Sequence, residues 1–269
     1  MADTPDAPRV TRREAIALAT GTAVTGTTGT TAASDLPAGA PLPAEAVQLV
    51  LAQGAWDAAT AARDVDAIAG GAAAFAGTAP HTLLLLPRAE PPGTAVPAAD
   101  ALVRALGAIA RRHGLWIAGA APVRDAAGVQ TLGVIVAPDG VVVLRVPKVT
   151  PDVFDGFTDS TATLGAPLDF AAVATPFGKL GLLTGEDLLV PGLVRGTMLA
   201  GAELLLSPTA GHAPGTAESL AELPTAIAYE NWCAVAVASP ATRRLGGIDA
   251  AQATRSGLFD QRGLAVRAA

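Results

Sequence analysis

The hydrophobic positions of this chain alternate between short apolar runs and longer stretches with helical spacing. Apolar runs of five or six residues predict buried strands, and Val47–Ala52 and Thr82–Leu86 are the first two. Asp57–Phe75 lies between them and Ala98–His113 follows them, and both show the spacing of amphipathic helices. Pro87 is expected to stop the second strand, because proline lacks the amide N–H that a ladder uses.

The same alternation continues towards the end of the chain. Pro138-Asp139-Gly140 lies between two apolar runs and signals a hairpin, because glycine tolerates positive φ. We find no internal repeat and no linker after residue 45. The pattern predicts one α/β domain over residues 45–269 with mixed sheet connections. The other predicted elements are strands at Leu115–Gly119, Leu132–Ala137, Val141–Val146, Leu180–Thr184, Glu203–Ser207 and Ala234–Ala238, helices at Gly192–Ala200 and Ala217–Trp232, and a hairpin-like piece at Thr254–Val266.

Residues 1–40 have a different character. The pair Arg12 and Arg13 precedes a weakly apolar stretch rich in Ala, Thr and Gly, which is the pattern of a twin-arginine export signal. Small residues suited to signal peptidase occur at 31–33 and at 38–40. We therefore predict an export signal and disordered lead, with periplasmic or secreted localisation; a disordered tail with a chance arginine pair is the alternative. The stretch lacks the ~20 strongly apolar residues of a span, so no stable membrane span is expected in the mature form.

Composition narrows the classes of partner. Hydrophobic residues make up 51% of the chain and charged residues 16%, which suits a packed core rather than disorder. The net charge is −6 and no basic run occurs, which argues against nucleic acid as a partner. With one cysteine and three scattered histidines, the sequence predicts no disulfide, no metal site and no cofactor.

Several blocks in a fixed order resemble one family. The first runs from Gly178 through Gly185-Glu186-Asp187 to Gly201-Ala202-Glu203 and Pro208. Ala226–Trp232, Arg255–Asp260 and the 138–140 turn before Lys148 follow the same pattern. Together they resemble the nitrilase (carbon–nitrogen hydrolase) superfamily over Val47 to Val266. The resemblance implies a single-domain, nitrilase-like α-β-β-α sandwich of the α/β class, which usually pairs sheet to sheet in dimers or larger assemblies.

The resemblance also implies a three-part chemistry. Family members act on C–N bonds of nitriles, amides and carbamoyl compounds with a cysteine nucleophile, a glutamate base and a lysine that stabilises developing negative charge. The cysteine position falls on Gly185, the glutamate position on Arg88 and the lysine position on Lys148. Glycine cannot form an acyl-enzyme and arginine cannot act as a base at neutral pH. Lys148 is thus the only retained member, and whether the chain is a C–N hydrolase stays uncertain at this point.

Other residues near these positions leave several interpretations open. Lys148 can lie in the pocket or on the surface at a strand end. Glu90 can reach the pocket if its loop shifts, or it can be a solvated loop carboxylate. Glu186 replaces the usual Tyr or Trp and can pair with Lys148 or Arg88, offsetting the cost of burying a charge. Asp187 matches the family and is expected to be structural.

Nucleophiles elsewhere in the sequence are poor replacements for the missing cysteine. Cys233 follows a helix end and is expected to be a small buried hydrophobe. Thr184 precedes the cysteine position, so its side chain should point elsewhere. Ser207 ends the next strand without an obvious histidine to activate it.

Three functions follow from this reading. The first is a non-catalytic homologue that binds a small amide or carboxylate, with Arg88 and Lys148 as a clamp. The second is a hydrolase with a rebuilt site, in which Glu90 or Glu186 directs water onto a C–N bond. The third is a structural assembly partner. The chain ends at Ala269, where family members generally continue, so we expect a homo-oligomer to be weakened.

Overall fold

The computed structural model describes residues 16–19, 47–76, 79–89, 96–126, 128–150, 170–210, 222–240, 242–245, 248–251, 256–262 and 265–268. Two six-stranded sheets form the framework of this part of the chain. In the first sheet the strands lie in sequence order, with β1 to β4 parallel and β5 and β6 antiparallel to their neighbours. These strands are β1 Ile16–Ala19, β2 Val47–Leu51, β3 His81–Arg88, β4 Trp116–Asp125, β5 Gly128–Val136 and β6 Val142–Pro147.

The second sheet has three parallel strands at its centre and antiparallel strands at both sides. Its order is β14-β13-β10-β9-β8-β7, with β8, β9 and β10 parallel. A separate two-stranded pair is formed by β11 and β12. The strands are β7 Val173–Thr175, β8 Gly178–Leu182, β9 Leu204–Pro208, β10 Ala234–Ala238, β11 Thr242–Leu245, β12 Ile248–Ala251, β13 Gly257–Phe259 and β14 Ala265–Ala268.

Helices cover the outer face of each sheet. The first two helices in the chain pack on the first sheet, and the last two pack on the second sheet. Each pair of helices contacts its sheet through its own apolar cluster. A third cluster joins the two sheets, with Leu85 of β3 and Leu206 of β9 among its fully buried members. The layers are therefore helix, sheet, sheet and helix, which confirms the predicted α-β-β-α sandwich and single α/β domain. The helices are α1 Ala61–Ala76, α2 Ala99–His113, α3 Pro191–Leu199 and α4 Leu223–Asn231.

Most predicted elements are present with shifted ends. Gly114 ends α2 in the left-handed conformation (φ 66°), and Gly140 takes φ 81° in the turn between β5 and β6. The expectation that Pro87 stops the second strand is wrong, because β3 continues to Arg88. No ladder pair falls on Pro87: the register with β2 ends at Leu85, and that with β4 shifts beyond it. The missing N–H therefore costs the sheet nothing there.

Part of the predicted export segment is included in the first sheet. Ile16–Ala19 forms the edge strand β1, parallel to β2 and in register from Ile16 to Val47. The rest of residues 1–40 lies outside the described part of the chain, and so do residues 211–221 before α4. Export by the twin-arginine route stays a prediction. Among the described helices, none is long and apolar enough to cross a membrane.

Candidate functional site

Lys148 is buried where β6 ends. Its backbone N–H donates to the carbonyl of Thr131 (2.9 Å), so the ladder with β5 extends as far as this residue. Its side chain is 0% exposed, and Nζ lies 3.2 Å from Oε2 of Glu186. Nζ also donates to the carbonyl oxygen of Thr150. A buried ammonium is tolerated when such partners replace its water, so the structure places Lys148 inside the protein rather than on its surface.

The loop that carries Lys148 is held by Asp187. The Asp187 carboxylate accepts hydrogen bonds from the backbone N–H of Val149 (3.1 Å to Oδ2) and of Thr150 (2.8 Å), and from the Thr150 hydroxyl. Asp187 is fully buried, and this desolvation raises its pKa above the usual value, while the hydrogen bonds and the nearby Lys148 charge act in the opposite direction. Asp187 thereby positions the carbonyl that Lys148 uses.

Gly185 lies directly beside Lys148. It begins a short 3-10 helix, Gly185–Leu189, three residues beyond the end of β8, and its φ is +55°. A Cβ built on Gly185 would have Cε of Lys148, at 3.8 Å, as its nearest atom outside its own chain neighbours. The structure therefore brings Gly185, Glu186 and Lys148 together and leaves room for a side chain at position 185.

Arg88 is buried at the same edge of the fold. It is 4% exposed at the end of β3, and its backbone N–H donates to the backbone carbonyl of Thr209 (3.1 Å), which follows β9. This bond joins the carboxyl ends of strands from the two sheets, and Gly185 also follows the carboxyl end of a strand. A guanidinium stays charged at any ordinary pH, so a permanent positive charge is present here. Glu90 lies outside the described residues.

Among the described residues, no activating group is bonded to the hydroxyls of Thr184 and Ser207. Thr184 Oγ1 would lie 3.2 Å from a Cβ on Gly133, so it faces the first sheet rather than Gly185. Ser207 is fully buried in β9. Neither hydroxyl has a hydrogen-bond partner among the described residues.

The histidines lie elsewhere. His81 begins β3 at its amino end, and His113 bonds to Asp66 between α1 and α2 (2.9 Å). His212 lies outside the described residues. A serine or threonine nucleophile needs a base beside it, and the described residues supply no histidine for that purpose. In the same part of the chain, no three His, Cys, Asp or Glu side chains converge as a metal site.

Cys233 is buried between α4 and β10. It is 3% exposed within the apolar cluster under α3 and α4, and its N–H donates to the carbonyl of Ala228 (3.2 Å). Burial raises the pKa of its thiol to about 11, so the thiol is protonated at neutral pH. Only a thiolate attacks efficiently, so Cys233 serves as packing and confirms the expected small buried hydrophobe.

The sandwich and the positions of these residues define a nitrilase-type fold. The family model for carbon-nitrogen hydrolases matches residues 35–256, so the chain belongs to the carbon–nitrogen hydrolase family. A search of the curated proteins found none that matches.

Solved structures show the same fold. An amidase from Nesterenkonia sp. is similar with a TM-score of 0.65 and 23% identity, over 83% of this chain and 85% of that chain. Saccharomyces cerevisiae Nit3, a member of branch 10 of the nitrilase superfamily, is similar with a TM-score of 0.64 and 20% identity, over 81% and 82%. A mutant of the Nesterenkonia amidase in complex with butyramide has a TM-score of 0.65 and 22% identity, over 83% and 85%.

Sequence reasoning missed the connection between Asp187 and the lysine loop. The two segments are nearly forty positions apart, and no local pattern predicts that Asp187 accepts hydrogen bonds from Val149 and Thr150. The left-handed conformation of Gly185 was missed as well. A glycine directly after an apolar strand was the only available signal, and glycine alone does not specify the sign of φ.

Proposed function

We propose that this protein is an exported, non-catalytic member of the carbon–nitrogen hydrolase family that binds a small amide or carboxylate. The observation that carries the proposal is Gly185 beside Lys148. The resemblance puts the nucleophile at position 185, and a residue without a side chain cannot form a covalent intermediate. Arg88 at the glutamate position adds a charge that cannot accept a proton.

Features of a ligand site remain around the missing nucleophile. Lys148 keeps its burial and its partners Glu186 and Thr150, and a Cβ at position 185 would meet Cε of Lys148 at 3.8 Å without a clash. Concave sites at the carboxyl ends of strands are common places for small ligands. Amide binding by a protein of the same fold, the Nesterenkonia amidase mutant in complex with butyramide, supports an amide as the first ligand to test.

A second candidate function is hydrolysis by direct attack of water. The observation that favours it is Glu186, whose carboxylate lies 3.2 Å from Nζ of Lys148, the residue whose Cε is nearest to a Cβ built at position 185. A water held there would have a carboxylate to accept its proton and an ammonium to stabilise the developing oxyanion. The route lacks the two-step advantage of a covalent intermediate, so binding without turnover is the better-supported function.

The deciding experiment is ammonia release by the full chain across amides, nitriles and carbamoyl compounds. We expect no release above a Lys148→Ala control, together with a thermal shift from at least one amide or carboxylate. Circular dichroism confirms that each protein is folded. Release that is lost in Glu186→Gln would instead establish the water-attack route, and release lost only in Glu90→Gln would move the base to the neighbouring loop.

Export is tested separately with a reporter. The first forty residues fused to a reporter that is active only after folded export should carry it out of the cytoplasm, because the twin-arginine route moves folded proteins. The double substitution Arg12→Lys and Arg13→Lys should abolish export. Unchanged export in that variant would overturn the twin-arginine assignment without affecting the binding proposal.

A further inference from the structure

We infer that Glu186 is the specificity-determining residue of this site and makes it accept uncharged carboxamides while excluding carboxylates of the same shape. The inference rests on the proposed binding function and narrows its ligand class. It also assigns a role to a residue that stands where the resembled family has an aromatic side chain, which could not form an ion pair with Lys148.

The hydrogen-bond geometry of Lys148 is the first step. An ammonium has three N–H donors. One of them reaches the carbonyl of Thr150, whereas Glu186 Oε2 lies 3.2 Å from Nζ as an ion-pair contact rather than a hydrogen bond. A ligand therefore meets an ammonium that already donates to one carbonyl and already lies beside one carboxylate.

The local charge is the second step. Lys148 and Glu186 form a pair whose side chains are 0% and 18% exposed, so water screens them only weakly. The ammonium charge is compensated before any ligand arrives. A carboxylate at Lys148 would place a second anion against Glu186, and like charges at close range discriminate strongly against a ligand. A carboxamide has no net charge and avoids this repulsion.

Arg88 supplies the competing interpretation. It is 4% exposed, and its backbone N–H donates to the carbonyl of Thr209 at the junction of the sheets. A carboxylate held by both Arg88 and Lys148 would still lie against Glu186, the ion-pair partner of Lys148. The Arg88→Gln variant in the test below separates the two interpretations.

The test compares amides with carboxylates of the same size. Affinities of the full chain for acetamide against acetate, and for butyramide against butyrate, are measured by titration calorimetry at pH 7.5, where the acids are ionised. We expect the wild type to prefer the amide by about tenfold or more. Glu186→Gln should reduce this ratio at least about tenfold by improving carboxylate affinity, since the repulsion between the two carboxylates is removed.

Two further variants serve as controls. Glu230→Gln removes the same charge from the exposed surface of α4 and should leave the ratio unchanged. Glu186→Asp retains the carboxylate and should retain the preference, which separates charge from a general disturbance of the site. It also keeps the test decisive if Glu186→Gln folds poorly, because loss of the amide preference in Glu186→Asp contradicts a charge-based role.

The outcomes separate the two proposals. A wild type that binds amides with a ratio unaffected by Glu186→Gln would overturn this inference and leave the binding function intact. A wild type that prefers carboxylates, with binding lost in Arg88→Gln, would restore the carboxylate clamp and also overturn it. Binding of neither member of any pair by the folded protein would overturn both the inference and the binding function.

Discussion

Gly185 combines a left-handed backbone conformation with a Cβ position that meets no clash. Its φ is +55°, and the nearest atom to a Cβ built there is Cε of Lys148, at 3.8 Å. A side chain at this position is therefore opposed by backbone conformation rather than by crowding. For residues with a Cβ, the left-handed region costs about 1–2 kcal/mol.

Substituting Gly185 by alanine should therefore destabilise the fold modestly. We expect Gly185→Ala to lower the free energy of unfolding by about 1 kcal/mol, measured by urea titration with circular dichroism. The matched control is Gly192→Ala near the start of α3, where nothing lies within 4 Å and φ is not positive. That change should be neutral or stabilising by up to about 1 kcal/mol. Equal effects of the two substitutions would contradict the conformational argument.

Asp187 should impose an unusual pH dependence on stability. Its pKa is raised above 3.8 by burial, so the folded state holds its proton more tightly than the unfolded state does. Its contribution to stability is then fully present below pH 3.8 and declines as the pH rises from 3.8 to the raised folded pKa. The pKa of Asp64 is lowered instead, and the largest lowering contribution is the hydrogen bond from Thr60. An acid of that kind contributes stability that is lost as the pH falls.

The substitution Asp187→Asn isolates this contribution. Asparagine does not titrate, so the destabilisation of Asp187→Asn relative to the wild type should be greatest near pH 3.5 and shrink towards pH 7. Unfolding free energies from urea titrations at several pH values provide the measurement. Asp64→Asn, at a carboxyl group whose pKa is lowered, is the control and should show the opposite trend, a penalty that grows with pH. A penalty for Asp187→Asn that grows with pH would mean that the carboxylate form is the one favoured in the fold.

At the scale of elements, α2 approaches the turn between β5 and β6 through two glycines. A Cβ on Gly107 of α2 would lie 2.8 Å from the carbonyl oxygen of Gly140, closer than real Cβ contacts. The helix backbone and the turn can touch because Gly107 has no side chain. Close packing of a helix on a hairpin thus depends on one residue that is otherwise unfavourable inside a helix.

This contact reverses the usual effect of a helical glycine. Gly107→Ala should destabilise by about 1–3 kcal/mol, because the new methyl group collides with backbone that cannot rotate away. Gly71→Ala, in the middle of α1 with nothing within 4 Å of its Cβ position, should instead stabilise by up to about 1 kcal/mol. Melting temperatures of the two variants provide the comparison. A shift of the same sign in both would refute the close approach of α2 to the turn.

At the scale of the whole molecule, the layered fold could be predicted from the sequence, whereas several short strands could not. The family resemblance implied the α-β-β-α sandwich, and apolar runs located β2, β9 and β10 within one or two residues. Val173–Thr175 was missed, as were the paired strands β11 and β12, because short strands with few apolar residues lack a hydrophobic signal. Such strands form through pairing with a neighbour, which local periodicity does not encode.

The contacts of the candidate site could not be predicted from the sequence. The spacing of the resembled motifs predicts one site for Gly185 and Lys148, and in the structure Cε of Lys148 lies 3.8 Å from a Cβ built at position 185. The structure shows Lys148 as a partner of Glu186. This contact depends on how the loop after β6 is held by Asp187, a long-range contact made by side-chain oxygens. A single sequence contains no periodic signal for contacts of that kind.

Chemical labelling of the buried Cys233 thiol would report the opening motions of the folded protein. This is the only thiol in the chain, it lies between α4 and β10, and its pKa of about 11 leaves roughly one thiolate in a thousand at pH 8. A thiol reagent should therefore label the native protein at least about a hundredfold more slowly than the urea-unfolded chain, because the unfolded thiol is about one-tenth to one-quarter ionised at pH 8; Cys233→Ala is the blank. Labelling that requires global unfolding would show that the two halves of the sandwich separate together. Faster labelling, insensitive to mild urea, would reveal that the α4 side opens by itself, as an independent cooperative unit within a single domain.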